Sequence, residues 1–364
     1  MAIRQSTMED MAMKPTHSFW SNKRVLVTGH SGFKGSWLSL WLTMMGAKVT
    51  GISLAPSTRP NLYTLLHLEK TITSYYTDIR DNKQFTAEVK ECAPDIVFHL
   101  AAQPLVRSGY HDPLRTFSTN IMGTANLLDA LRGEKTPRVA VIITTDKVYQ
   151  NQEWHYPYRE HDTLGGRDPY SASKTGCELV VAAYRDSFLA KQGVALATGR
   201  AGNVIGGGDW ADDRLIPDAI RAWQAKKTLY IRSPHAIRPW QHVLEPLAGY
   251  MILAEKLWQK DTLAGAYNFG PESTNNATVK TVIEYARQCY GGGAAVHRED
   301  NEGPHEANLL SLDISKTSTI LAVKPCWSLD KTITRTIDWY KKFAQGSEPK
   351  ELCRREIYEY EGSK

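Results

Sequence analysis

Tyr170 and Lys174 are the first residues of this chain whose types and spacing indicate chemistry. They stand four positions apart at the start of a predicted helix, so both side chains lie on one face. A lysine ammonium beside a phenol lowers the phenol's pKa, which lets the tyrosinate take a hydroxyl proton while a hydride leaves the same carbon. A surface lysine beside a half-buried tyrosine would give the same spacing. Catalysis is favoured because a predicted core strand ends at Thr145, whose hydroxyl would bond the substrate oxygen.

A glycine triplet is the second chemical signal. Residues 28–35 read TGHSGFKG, which places Gly29, Gly32 and Gly35 at GxxGxxG spacing between a predicted strand and a predicted helix. One glycine permits the tight turn, another lets backbone amides approach a pyrophosphate, and the third allows the helix to pack closely on the strand. In this context the triplet predicts a dinucleotide site, and a purely structural turn is the alternative.

The second predicted strand leaves the choice between NAD and NADP open. No Asp or Glu occurs between Gly35 and Glu69, where an acid that binds the adenosine ribose normally ends that strand. Ser53 stands near the strand end, and Arg59 follows in the loop, where it would touch the ribose or accept the extra phosphate of NADP. A surface arginine is the alternative for Arg59.

These residues need a scaffold that brings strand ends together, and the apolar pattern predicts one. The burst KRVLVTG from Lys23, a helical apolar pattern from Trp37 to Met45 and the burst KVTGISL together predict a βαβ unit. The alternation continues with strands at 94–102, 138–145 and 195–206 and helices at 120–131 and 171–191. The chain is therefore predicted to be an α/β protein with a doubly wound parallel (Rossmann) sheet, whose ligands bind outside the carboxyl ends of the strands.

The pattern becomes irregular after Gly206, where Gly, Pro, Trp and Arg interrupt short helical segments. We predict a Rossmann domain at 20–202 and 241–272 and a smaller, interleaved α/β substrate domain at 203–240 and 273–355. The interleaving follows from GAYNFGP at 265–271, which looks like a strand that returns to the main sheet.

Composition argues against several classes of protein. The chain has 364 residues, of which 42% are hydrophobic and 23% charged, as is typical of globular proteins. The net charge of +5 comes without basic runs, so no nucleic-acid partner is expected. Five cysteines without a CxxC pair fit a reducing cytoplasm, and neither a signal peptide nor a membrane-spanning run is visible. The eleven histidines show no ligand-like spacing, so no metal site is expected.

Several motifs together resemble a known family. TGxxGFxG, a strand that ends in Thr145 and YxxxK are similar to the extended short-chain dehydrogenase/reductase superfamily over nearly the whole chain. The blocks TGHSGFKGSWLSLWL, AAQPLVR, TTDKVY, YSASK, AGNVIGGGDWADDRLIPD and IRSPHAIRPWQHVLEPL resemble the CDP-glucose 4,6-dehydratase family of bacterial dideoxysugar biosynthesis. The resemblance implies a redox-neutral cycle with NAD, in which CDP-glucose is oxidised at carbon 4, loses water across carbons 5 and 6, and is reduced at carbon 6.

The resemblance also implies roles around the strand end. Tyr170 is the base for the 4-hydroxyl, Lys174 orients the cofactor and tunes Tyr170, and Thr145 holds the same oxygen. Elimination needs an acid for the departing 6-hydroxyl and a base for the proton at carbon 5, which the ketone acidifies. We assign these roles to Asp146 and Lys147, the latter where related dTDP-glucose enzymes have a glutamate. A lysine acts as a base only if burial or a cationic neighbour depresses its pKa, and a strand-end turn with a salt bridge is the alternative for this pair.

Cofactor and substrate contacts complete the predicted site. With the glycine loop and the second strand, the resemblance gives the cofactor set Gly29, Gly32, Phe33, Gly35, Ser53, Arg59, Asp78, Ile79, Ala101, Ala102, Gln103, Asn120, Tyr170 and Lys174. Asn203, Arg214, Arg238 and Gln241 are expected to bind the nucleotide sugar, since arginine's fork of donors suits a diphosphate. Strand-end fillers and salt bridges within the smaller domain are the alternatives. His305 and Glu306 match the family block without an assigned role.

Two other functions stay open at this point. A nucleotide-sugar 4-epimerase would share the glycine loop and YxxxK but release no water, and Asp146 argues against it. A nicotinamide-binding sensor would keep the fold without catalysis, but it has no reason to retain Thr145, Tyr170 and Lys174. The nucleotide rests on the resemblance alone, so a 4,6-dehydratase of another nucleotide sugar is a further alternative. The superfamily commonly pairs two helices of each subunit, and we therefore expect a homodimer.

Overall fold

A parallel sheet lies at the centre of the protein. The computed structural model describes residues 13–272, 276–297 and 307–363. The strands in these ranges are β1 (Arg24–Thr28), β2 (Lys48–Ser53), β3 (Thr73–Tyr76), β4 (Ile96–His99), β5 (Val139–Ile143), β6 (Ala195–Ala201), β7 (Val204–Ile205), β8 (Thr228–Ile231), β9 (Ile237–Arg238), β10 (Gln241–His242), β11 (Ala266–Phe269), β12 (Ala277–Thr278) and β13 (Ala294–His297). Seven of them form the main sheet in the order β11-β6-β5-β4-β1-β2-β3, and every neighbouring pair is parallel.

Helices cover both faces of this sheet. They are α1 (His17–Trp20), α2 (Phe33–Met44), α3 (Leu62–Leu65), α4 (Asn82–Cys92), α5 (Val106–His111), α6 (Pro113–Phe117), α7 (Gly123–Ala130), α8 (Pro169–Tyr184), α9 (Leu215–Gln224), α10 (Leu244–Gln259), α11 (Val279–Tyr290), α12 (Ser315–Leu321), α13 (Leu329–Ala344) and α14 (Pro349–Glu361). Because both faces are covered, β4 and β5 are buried along their whole length, which explains their continuous apolar runs. Within the described ranges, no helix combines the length and apolar character needed to cross a membrane.

The strand order reverses beside β1. The chain runs outward from β1 through β2 and β3 on one side, and from β4 through β5 and β6 to β11 on the other. Loops at the carboxyl ends of β1 and β4 therefore diverge, and a crevice opens there. The predicted fold class, a doubly wound parallel sheet with flanking helices, is confirmed.

Two helical segments differ in extent from the prediction. The helix expected at 120–131 begins earlier, with α6, and a π-helical turn at Ser118–Met122 joins α6 to α7. The helix expected at 171–191 is α8, which begins at Pro169 and passes into a π-helical turn at Arg185–Leu189. Pro169 occupies the first helical turn, where its missing N–H leaves no hydrogen bond broken.

Short strands after β6 build a layer beyond the carboxyl edge of the main sheet. β7 pairs with β10, β8 with β13 and β9 with β12. The segment 265–271 contains β11, which pairs in parallel with β6. The predicted domain boundaries at 203, 241 and 273 stay a prediction.

Candidate active site

A large cavity of about 1240 Å³ opens at the carboxyl edge of the sheet. Its wall combines the loops after β1, β4 and β5 with the layer built by β7, β8 and β9. The predicted residues on this wall are Gly29, Gly32, Phe33, Gly35, Ser53, Asp78, Ile79, Ala101, Ala102, Gln103, Thr145, Asp146, Lys147, Tyr170, Lys174, Asn203, Arg214 and Arg238. Arg59, Asn120 and Gln241 are not on it.

The glycine loop leaves β1 and forms one end of the cavity. Gly29 has φ +75°, a left-handed conformation that glycine adopts without strain, and a Cβ there would lie 2.7 Å from the Ala101 nitrogen. A Cβ on Gly35 would lie 2.1 Å from the Gly29 carbonyl oxygen, so α2 approaches the turn as closely as only glycine allows. α2 starts at Phe33 and directs its free amides at the cavity, where they would accept an anionic diphosphate. The shape of this loop and of the start of α2 fits a dinucleotide.

Hydroxyl groups lie at the end of β2, where a ribose-binding acid normally stands. Ser53 ends β2, and its Oγ lies 2.8 Å from Ser31 Oγ and donates to the Leu54 carbonyl at 2.9 Å. Beyond β3, Asp78 faces the cavity and pairs with Arg80, whose side-chain hydrogen bond holds the pKa of the carboxyl below its usual value. Arg59 is exposed and does not line this wall, although Ser57 does, so its contact with the ribose stays a prediction.

Asn120 lies beneath the loop that follows β4. It is buried, its Oδ1 accepts from the Gln103 backbone N–H at 2.8 Å, and its Nδ2 donates to Ser173 Oγ at 2.8 Å. Asn120 therefore joins the Ala101–Gln103 loop to α8 instead of facing the cavity. The prediction of a direct cofactor contact has no support in this arrangement, because both ends of its amide are already engaged.

Tyr170 and Lys174 lie in the first two turns of α8, which Asp168 caps by accepting from the Ser171 backbone N–H at 3.0 Å. Burial raises the pKa of Tyr170 to about 12, while a hydrogen bond with Thr145 and the charge of Arg214 act in the opposite direction. Lys174 donates to the Ile143 carbonyl at 3.1 Å, and burial lowers the pKa of its ammonium. Arg214 is thus one cation whose charge lowers the pKa of Tyr170, and the tuning role of Lys174 stays a prediction.

The turn after β5 carries the other reactive groups. Thr145 donates to Asp146 Oδ1 at 2.9 Å, and Asp146 Oδ2 is buried on the cavity wall without a hydrogen-bond partner in the described structure. Lys147 follows on the same wall. The turn thus brings a carboxyl group and a lysine to the cavity that Tyr170 also lines.

Lys34 is a cavity residue that the sequence analysis missed. It stands between Phe33 and Gly35, so its side chain enters the site at the start of α2. Burial, together with the charges of Arg214 and Lys174, lowers the pKa of Lys34 to about 7. A lysine inside the glycine motif was the available signal.

The substrate side of the cavity is rich in arginine. Arg214 donates to Asp209 at 2.8 Å, and this carboxylate raises the pKa of the guanidinium. Arg238 is buried, and Asn203 lies beside it on the wall. Gln241 instead donates to the Phe269 carbonyl at 2.9 Å and is buried behind the wall, so it supports β11 rather than reaching a ligand. His305 and Glu306 lie outside the described residues.

No cluster of His, Cys, Asp and Glu with the arrangement of a metal site occurs among the described residues. The polar side chains on the described cavity wall include hydroxyl, carboxyl, amine and guanidinium groups.

Comparisons with known proteins show the family of the chain. The family model described as GDP-mannose 4,6 dehydratase matches residues 26–336. CDP-glucose 4,6-dehydratase of Salmonella typhimurium is 45% identical over 349 residues, which cover 94% of this chain and 97% of that protein. UDP-glucose 4-epimerase from Thermotoga maritima, solved with UDP-glucose, has a TM-score of 0.76 at 20% identity and covers 88% of this chain and 99% of its own. UDP-glucuronic acid 4-epimerase from Bacillus cereus, solved with UDP-glucuronic acid and NAD, has a TM-score of 0.75 at 24% identity with the same coverage.

The chain belongs to the GDP-mannose 4,6 dehydratase family. The resemblance inferred from its motifs is thereby confirmed. Because the two solved structures are only 20% and 24% identical to this chain, they support its fold alone.

Proposed function

We propose that this family member converts CDP-glucose to CDP-4-keto-6-deoxyglucose through internal hydride transfer with NAD. The proposal rests on one observation: Asp146, whose buried Oδ2 has no hydrogen-bond partner in the described structure, lines the same cavity as Tyr170. The cavity therefore combines a residue suited to oxidation at carbon 4 with a residue suited to elimination of water. The CDP-glucose 4,6-dehydratase relative supports the choice of substrate.

The cofactor would lie along the glycine loop. Gly29, Gly32 and Gly35 would hold its diphosphate, Ser53 and Asp78 its adenosine, and Lys174 its nicotinamide half. NAD, when bound, supplies a reversible acceptor for the hydride at sugar carbon 4.

The strand end and α8 would carry out the proton transfers at carbon 4. Thr145 holds the 4-hydroxyl, and Tyr170 removes its proton. Arg214 stabilises the tyrosinate, because its charge acts against the burial that raises the pKa of Tyr170. Arg214 would also bind the nucleotide diphosphate of the substrate, together with Arg238 and Asn203.

Asp146 would protonate the departing 6-hydroxyl, and Lys147 would remove the proton at carbon 5. Lys147 lies on the wall directly beside Asp146, which suits a pair that acts on adjacent carbons. Lys147 stands where related dTDP-glucose enzymes have a glutamate, so the side chain proposed as the base is a lysine in this chain.

We also propose a cytoplasmic homodimer. All five cysteines are unpaired, in keeping with a reducing compartment. Leu179 on α8 is 61% exposed, and Leu114 and Met122 on the neighbouring helical segment are 80% and 55% exposed. Neighbouring exposed apolar side chains on two packed helices support an interface between copies. Light scattering tests this: we expect twice the monomer mass for the protein and monomer mass for Leu179→Asp, and a monomeric unsubstituted protein would refute the dimer.

Incubation of the purified protein with NAD and CDP-glucose tests the reaction. Mass spectrometry is expected to show the loss of one water, together with the alkali-induced absorbance of a 4-keto-6-deoxy sugar. An unchanged mass with inversion at carbon 4 would establish the epimerase alternative. If CDP-glucose is untouched, dTDP-, GDP- and UDP-sugars distinguish another dehydratase from a sensor without catalysis.

A further inference from the structure

Glu178 is a buried carboxylate that the proposed reaction does not use. It lies on α8, one turn after Lys174, and its side chain is 4% exposed. Oε1 accepts from Thr144 Oγ1 at 2.5 Å, and Oε2 accepts from Thr198 Oγ1 at 2.9 Å. Arg200 donates to both oxygens, at 3.0 and 2.8 Å. Every contact of this carboxylate is therefore charge-assisted or donated by a hydroxyl, in a region closed to water.

The contact with Thr144 reaches the reactive turn directly. Thr144 follows the last residue of β5 and precedes Thr145, and its backbone N–H donates to the Gly199 carbonyl at 3.0 Å. Thr145 in turn accepts from Lys147 N at its hydroxyl and from Val148 N at its carbonyl, both at 3.4 Å. These two contacts are long. The far end of the turn is held at Val148, whose carbonyl accepts from Gly165 N at 2.8 Å and from Thr175 Oγ1 at 3.1 Å, and Thr144 anchors the end next to Thr145.

We infer that Glu178 is a positioning residue, which fixes Thr145 opposite Tyr170 through the Thr144 hydroxyl. The inference rests on the proposed function and deepens it. Because Glu178 and Tyr170 lie on the same helix, the hydrogen bond to Thr144 ties the strand-end turn to the element that carries the base. A misplacement of about 1 Å near the reacting atoms lowers a rate on the order of 100-fold.

The structure provides a matched control for this inference. Thr144 and Thr198 are both buried and both donate to the Glu178 carboxylate, but Thr198 lies within β6, opposite Ile142, and is not part of the reactive turn. Thr144→Val and Thr198→Val remove one hydroxyl each with nearly unchanged volume. A merely structural role predicts similar effects of the two variants.

We expect Thr144→Val to lower kcat about 10- to 100-fold with little change in KM, because the lost alignment affects the reacting atoms and not substrate binding. Thr198→Val is expected to keep kcat within about threefold of the unsubstituted protein despite a similar fall in melting temperature. Thr144→Ser, which keeps the hydroxyl, is expected to restore kcat. Equal losses of kcat in the two valine variants, or no loss in Thr144→Val, would overturn the inference.

A second readout separates this inference from the proposed function. If the unsubstituted protein dehydrates no nucleotide sugar, the proposed function fails, but hydrogen exchange still tests the anchor. Thr144→Val is then expected to speed exchange of the Lys147 and Val148 amides more than Thr198→Val does, because the turn opens more often. Equal exchange in the two variants would refute the positioning role.

Discussion

Replacing Arg200 by methionine is expected to destabilise the protein by about 3–5 kcal/mol, because the change leaves a buried carboxylate without its cation. Arg200 and Glu178 are 3% and 4% exposed and lie 2.8 Å apart. Arg200 also donates to Tyr149 Oη at 2.9 Å and to the Glu160 carbonyl at 3.0 Å. After the substitution, Thr144 and Thr198 are the donors left for Glu178 among the contacts described above.

The size of the expected loss of stability follows from the burial of Arg200 and Glu178. A surface ion pair contributes about 0–1 kcal/mol, because water solvates each partner when the other is removed. Arg24 and Asp95, 2.7 Å apart with side chains 44% and 23% exposed, provide such a pair, so Arg24→Met is the matched control and is expected to cost less than about 1 kcal/mol. A loss of about 3–5 kcal/mol would be a large part of the roughly 5–15 kcal/mol of a typical folded domain.

Urea unfolding followed by tryptophan fluorescence measures the difference, since the chain has ten tryptophans. The double variant Arg200→Met with Glu178→Met is expected to recover about 2 kcal/mol or more relative to Arg200→Met alone, because no unpaired charge remains. If Arg200→Met behaves like Arg24→Met, or if the two methionine substitutions add without coupling, the reasoning about this ion pair is wrong.

Three further substitutions test the proposed chemistry. Asp146→Asn is expected to slow loss of water by about 100- to 10,000-fold while cofactor reduction on addition of sugar nucleotide persists, and loss of both steps would contradict the acid role. Thr145→Val removes a hydrogen bond that lowers the pKa of Tyr170, so the rise of the oxidation rate with pH is expected to move to higher pH. A pH–rate profile that does not move would show that Tyr170 is not the group that removes the proton. Ser53→Asp places a carboxylate at the end of β2 and is expected to raise the ratio of NAD to NADP affinity, measured by calorimetry, by about tenfold or more, whereas an unchanged ratio would remove Ser53 from the ribose site.

Local sequence patterns were enough to predict those parts of the site that lie on elements adjacent in sequence. The glycine loop and the Tyr170–Lys174 pair could be predicted because strand, turn and helix are adjacent in sequence, so their spacing fixes their geometry. The doubly wound sheet followed in the same way from alternating apolar bursts and helical patterns.

Contacts between distant elements could not be predicted. Asn120 and Gln241 turn inward to support the loop after β4 and the end of β11, and a sequence does not show which side of a buried wall a side chain takes. Arg214, a cation whose charge lowers the pKa of Tyr170, comes from the segment before α9. The pairing of Glu178 with Arg200 likewise depends on how α8 packs against β6.

The late return of β11 to the main sheet affects how the nascent chain folds. During synthesis, β6 emerges well before its outer neighbour, because β7 to β10 and α10 are made first. Until then the outer edge of β6 presents unpaired N–H and C=O groups, which are able to pair with a strand of another chain. Its non-local partner also raises the contact order and slows folding. Aggregation of newly made protein is therefore expected to depend on the interval before β11 is complete, when the reactive turn and α8 have already been synthesised.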